Sequence, residues 1–163
     1  MAFTYEQVRD FLNKEARYLD DRDFEAWVEL YDKNIQFWVP SWDDDGELTR
    51  DPQKEVSLMF YAHRDGLEDR VFRIRTERST ASTPNHRTSH NLSNIEIVES
   101  DEDSCLVRFN WITFTCRYKI TDHFFGTSKY RLIKGANGEM RIKEKTVVLK
   151  NDCIHQVLDI YHI

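Results

Sequence analysis

The sequence predicts an α+β fold, a cone-shaped, strongly curved antiparallel β-sheet with N-terminal helices packed in its concave face. Three observations lead there. Apolar residues follow a helical period through the first third of the chain, and after Thr76 the period becomes two and stays so. No linker, repeat or low-complexity segment divides the helical part from the strands, so residues 1–163 read as a single domain.

The elements follow in order. Thr4 and Gln7 make a capping-box pair, and Tyr5, Val8, Leu12, Ala16 and Leu19 mark a first helix. Asp20, Asp21 and Asp23 interrupt it, and Asp23 caps a second helix carrying Phe24, Trp27, Val28 and Tyr31. Strands are expected at Asn34–Pro40 and Glu55–Tyr61, on either side of a polar loop punctuated by Gly46 and Pro52. Asp65 with Glu68 caps a third helix, whose Leu67, Val71 and Ile74 share one face. Its basic run, Arg70 to Arg78, alternates with apolar residues and reads as a solvated or interface face, not a phosphate patch. Four long strands complete the chain at about 87–99, 104–119, 121–134 and 139–150, with Gly135–Gly138 forming the last hairpin. In the second of these the apolar phase moves from Cys105, Val107, Phe109 and Trp111 to Ile112, Phe114, Cys116 and Tyr118. A strand that keeps one face buried needs an extra residue to change phase, so a β-bulge is expected near Asn110–Trp111.

Composition narrows the function. A chain that is 40% hydrophobic and 13% aromatic folds around a core. A net charge of −6 argues against nucleic acid as partner. No apolar run is long enough to span a membrane, and Cys105, Cys116 and Cys153 make no disulfide framework, so a cytoplasmic chain with reduced thiols is expected.

His86 and His90 lie four residues apart, the ligand spacing of a zinc-protease helix. Here, however, Pro84, Asn85, Thr88 and Asn91, with Thr80 and Thr83 upstream, make a poor helix. In a strand, residues four apart are separated by roughly 13 Å at ~3.3 Å per residue. Two nitrogens each about 2.1 Å from one zinc ion are at most roughly 4 Å apart. As strand neighbours the two histidines cannot share an ion, and an inward His90 bonded to backbone or carboxylate groups is expected. There is no Gly-rich phosphate loop and no nucleophile elbow, and Asp122, His123 and His155 stand alone. The aromatics Phe37, Trp38, Trp42, Phe60, Tyr61 and Trp111 read as core before ligand cage. Two functions remain open on the residues alone: a dehydratase or isomerase using Asp and His inside the cone, and a module that binds an aromatic ligand.

The segments "GLEDRVFRIRTERS" and "TPNHRTSHNLSNIEI", with "ARYLDDRDFEAWVELY", "FWVPSWDDDGELTRDPQKE" and "LKNDCIHQVLDIYHI", resemble the small (beta) subunits of aromatic-ring-hydroxylating dioxygenases. The resemblance runs from Thr4 to Ile163 and is greatest to the benzoate 1,2-dioxygenase branch, with toluate, halobenzoate and anthranilate enzymes near. It implies a fold like that of nuclear transport factor 2, and a structural subunit of a hexamer of three large and three small chains. By the same resemblance the large subunit carries a Rieske [2Fe–2S] cluster and mononuclear Fe(II), a reductase delivers electrons from NADH, and dioxygen adds to the ring to give a cis-diol. No catalytic, cofactor-binding or metal residue is expected on this chain. Arg87 and His90 match the family's Arg-x-x-His and are expected to be structural or interfacial, whereas His86 lies outside that pattern and is expected to be exposed. Leu158 and Tyr161 belong to a tail that stays apolar to Ile163, so it must be docked, in its own cone or across a subunit boundary.

Overall fold

The computed structural model describes residues 2–76 and 82–163, so Glu77, Arg78 and Thr80 of the segments discussed above lie outside the described residues. The first helix, α1 (Tyr5–Asp20), opens with the expected capping box between Thr4 and Gln7. Its buried stripe is Val8, Phe11, Leu12, Glu15 and Leu19, so Tyr5 is exposed and a glutamate stands in the core. Helix α2 (Phe24–Val28) is capped by Asp23, as expected, but stops before Tyr31, which instead opens β1 (Tyr31–Pro40). Strand β2 (Ser57–Tyr61) precedes α3 (Arg64–Arg75), which begins one residue before the expected cap, Asp65, and has no side-chain cap bond. On α3, Leu67, Val71 and Ile74 are buried as expected.

The remaining strands, β3 (Arg87–Ser100), β4 (Ser104–Arg117), β5 (Ile120–Lys134) and β6 (Met140–Leu149), match the period-two reading closely. The sheet order is β2-β1-β6-β5-β4-β3. Every pairing is antiparallel except β1 with β6, which is parallel, with α3 and four strands intervening between them in the chain. The helices and the inward sheet residues share one core, in which Trp27, Tyr31, Phe37, Phe124 and Leu132 are fully buried or nearly so.

The expected bulge in β4 is a correction. Strand β4 pairs with β5 residue for residue without a shift, and its odd positions stay inward through Thr113 and Thr115. The apolar Ile112 and Phe114 lie instead on the outer face, because this strand has an apolar residue set on both sides. The phase changes lie on two other strands, β3 and β6. In β3 an extra residue falls between Ser93 and Glu96, where Asn94 takes a left-handed φ of 54°. In β6 an extra residue, Lys143, falls between the partners of Arg131 and Leu132. Inward positions before it include Ile142, and those after it are Lys145, Val147 and Leu149.

Candidate functional site

The β6 bulge has a chemical consequence: it turns Lys145 into the cone, where the side chain is 0% exposed. Helix α1 supplies its counter-ion, since Glu15 lies one turn from Phe11, Leu12 and Leu19 on the buried stripe. Lys145 Nζ donates to Glu15 Oε1 at 2.9 Å. Tyr31 donates its hydroxyl to Glu15 Oε1 and Tyr130 donates to Oε2 at 2.9 Å, so both carboxylate oxygens are satisfied. Burial pushes the Glu15 carboxyl up, but Lys145 and the two phenols outweigh it and hold the group below its ordinary value. Burial also lowers the Lys145 ammonium, against the opposing pull of Glu15. Lys145 Nζ also donates to the Tyr31 hydroxyl at 3.2 Å and to the Ile163 carbonyl at 3.4 Å, so both members of the pair are held by protein groups. The sequence reading did not single out this cluster; its signal was a charged residue at a stripe position of α1.

A second polar group lies under the C-terminal segment. Ile160–His162 form a 3-10 turn whose Ile160, Tyr161 and His162 are buried, and whose capping Asp159 is bonded by Arg70. The tail therefore docks in its own cone: Tyr161 is buried, while Leu158 is half-buried and packs against the core. His86 corrects an expectation. It is 3% exposed, faces Thr115 Oγ1 at 3.2 Å, receives Arg117 Nη1 at 2.9 Å and packs on Tyr161 and His162. The reason is its place just before β3, where the chain turns inward to meet the tail, a contact between residues too far apart in sequence for local periodicity to report. His90 sits as expected, with its ring Nδ1 2.6 Å from Asp20 Oδ1 and its backbone N–H on the same carboxylate. The bond ties β3 to the end of α1. The two histidines do different work and share no ligand position.

Burial, with His86, His90 and Arg117 nearby, lowers the His162 imidazole to about 3. Between its unfolded value near 6.5 and about 3, the unfolded chain binds a proton that the folded chain refuses, so stability falls as pH falls through this window. The limiting slope for one group is about 1.4 kcal/mol per pH unit. A His162→Phe chain, keeping the ring stacked on Phe124, should show a visibly flatter melting temperature against pH between 6.5 and 4. Parallel curves for the two chains would count against His162 as the titrating group.

Arg87 is exposed and, paired with Cys116 in the β3–β4 ladder, projects from the outer face of the sheet. That face also exposes Phe114 and Phe125, with the His123 ring between them. Beyond them the β4–β5 hairpin turns at Tyr118 and Lys119, both at positive φ, and exposes Tyr118 and Ile120. Among the described residues no group of three His, Cys, Asp or Glu side chains could hold a metal ion, and Cys105, Cys116 and Cys153 are free thiols. A Rieske cluster needs two cysteines and two histidines together, so this donor set does not fit one. No helix among the described residues is long and apolar enough to cross a membrane.

Comparison with known proteins agrees with this arrangement. The family profile described as ring hydroxylating beta subunit matches residues 14–156. The chain is 53% identical to the beta subunit of toluate 1,2-dioxygenase from Pseudomonas putida, over 163 residues and the full length of both. It is 54% identical to the small subunit of 2-halobenzoate 1,2-dioxygenase from Burkholderia cepacia, over 98% of this chain and 96% of that one. The crystal structure of the benzoate 1,2-dioxygenase beta subunit from Burkholderia mallei superposes with a TM-score of 0.83 at 44% identity, covering 99% and 98% of the two chains. A nuclear-transport-factor-2-like protein with a cystatin-like fold from Novosphingobium aromaticivorans shares the fold alone, at 13% identity and a TM-score of 0.61 over 93% and 84% of the chains. The chain belongs to the ring-hydroxylating dioxygenase beta-subunit family and is a component of an oxidoreductase complex.

Proposed function

We propose that this chain, acting as one domain in the cytoplasm, is the non-catalytic small subunit of a dioxygenase that adds dioxygen to benzoate or a ring-substituted benzoate. The large subunit of a three-plus-three hexamer would hold the Rieske cluster and the mononuclear iron, and a reductase would bring electrons from NADH. The observation that carries the reading is the filled cone. The cavity beside Glu15 and Tyr130 measures about 20 Å³, room for one water molecule and none for an aromatic ring. Glu15 and Lys145 are spent on each other and on two phenols, so neither is free to serve as the acid or base of a dehydratase or isomerase. On the outer face, Arg87 beside Phe114 and Phe125 supplies the aromatic and guanidinium chemistry that anchors protein interfaces, and we assign this patch to the large subunit. His90, Leu158 and Tyr161 keep the cone in shape behind it.

The test is co-expression with the large subunit. Wild-type chain should co-purify in a brown, active complex and be colourless and inactive alone. Phe114→Asp with Arg87→Glu should leave the isolated chain folded and cut recovery of the complex at least tenfold. Activity of the colourless chain alone would overturn the subunit reading, while a normal complex from the double variant would move the interface elsewhere.

A further inference from the structure

The cone interior contains polar atoms that its own side chains leave unanswered. His90 Nε2 and Trp111 Nε1 are buried and have no hydrogen-bond partner among the described residues. They are not scattered. In the β3–β4 ladder Leu92 lies opposite Trp111 and His90 opposite Thr113, so the two rings are diagonal neighbours on the inward face. Both line the same cavity of about 20 Å³, whose wall includes Glu15, Ser128 and Tyr130 beside apolar residues such as Leu19 and Phe109.

We propose that this cavity is a built hydration site holding one ordered water that bridges the His90 and Trp111 rings. Its size admits one water and no larger ligand. The donor pattern also matches. His90 Nδ1–H donates to Asp20 Oδ1, and in this tautomer Nε2 is an acceptor, whereas the indole nitrogen can only donate. A water molecule can accept from the indole and donate to the imidazole at once, and it fits the space. Its second hydrogen has an oxygen in the wall, the Ser128 hydroxyl or the Glu15 carboxylate. Apolar cavities of comparable or larger size stay dry, but this one has two orphaned nitrogens on one side and a carboxylate on the other. The water thus extends the Asp20–His90 link from α1 through β3 to β4, at the histidine of the Arg-x-x-His segment.

A crystal structure of the full chain, at a resolution that resolves ordered solvent, should show one full-occupancy water within hydrogen-bond distance of both nitrogens. In solution, the Trp111 Hε1 resonance should show a water cross-relaxation peak with the sign of a long-lived bound water. Trp111→Phe identifies that resonance and should remove the peak. An empty cavity in the density, or a water touching only one of the two nitrogens, would overturn the proposal. So would an indole resonance without a water peak, whether or not the variant folds.

Discussion

A chain lacking Leu158–Ile163 should fail to fold, alone or beside its large subunit. The segment places Ile160 at 0%, Tyr161 at 1% and Ile163 at 5% exposure in the core. At ~1.5–3 kcal/mol for each buried aliphatic or aromatic side chain, these three amount to about 5–9 kcal/mol, against a net stability of ~5–15 kcal/mol for a domain. Polar losses add to this. Arg70 loses the carboxylate of Asp159, Ser82 loses the Tyr161 hydroxyl, and His86 loses two of its ring neighbours. Removing the segment also opens Phe24 and Phe124 to water, since each packs against one of its rings. The measurement is a thermal or urea melt of the purified truncated chain beside the full-length one, with far-UV circular dichroism as the probe. A cooperative melt within a few degrees of full length would show that the cone stands without its tail. Loss of the complex with the large subunit would then be an interface effect, the alternative that the buried positions of Ile160–Ile163 argue against.

What could be read from the sequence divides along physical lines. Elements stated by local chemistry were legible: the Thr4–Gln7 capping box, the Asp23 cap, the Gly135–Gly138 hairpin, and four strands with boundaries correct to within two residues. The β4–β5 break was placed within two residues, but its turn chemistry was not legible, because Tyr118 and Lys119 adopt positive φ without the Gly or Asn that normally announces it. A change of phase does need an extra residue, but β4 has neither. Apolar residues on both faces of β4 imitate a bulge, while the bulges of β3 and β6 hide behind polar residues, Asn94 and Lys143. The missed bulge in β6 also concealed Lys145, which a strict alternation from Ile142 would leave pointing outward. His86 was misplaced for a related reason, since its burial depends on a tail more than seventy residues away. As for Arg87 and His90, the resemblance singled them out and the fold separates their surroundings: His90 braces α1 inside the cone and Arg87 projects outside it.

The Glu15–Lys145 pair offers a test that separates a structural interior from a catalytic one. Lys145→Met should destabilise the chain by about 3–5 kcal/mol, because it leaves the Glu15 carboxylate buried without its counter-ion. The methionine fills nearly the same space, so most of that cost is electrostatic and not a cavity. If so, neutralising the stranded partner should recover much of it. In Glu15→Gln with Lys145→Met, the amide oxygen can still accept from Tyr31 or Tyr130, and no charge remains to be buried. The double variant should therefore be more stable than Lys145→Met alone, a coupling that additive losses cannot produce. Equal stability of single and double variants, or a single-variant cost below about 1 kcal/mol, would mean the pair is not electrostatically coupled as the geometry requires. Acid should act in the same direction as Lys145→Met does. Glu15 is held below its ordinary value, so its contribution is present above the unfolded carboxyl range and disappears as pH falls through the folded value. The double variant lacks that dependence. Its activity decides the chemistry. Assembled with the large subunit, a chain with neither the carboxylate nor the ammonium should support wild-type turnover, because the pair holds the cone together and touches no substrate. A folded, assembled double variant with abolished turnover would place catalysis inside this cone after all.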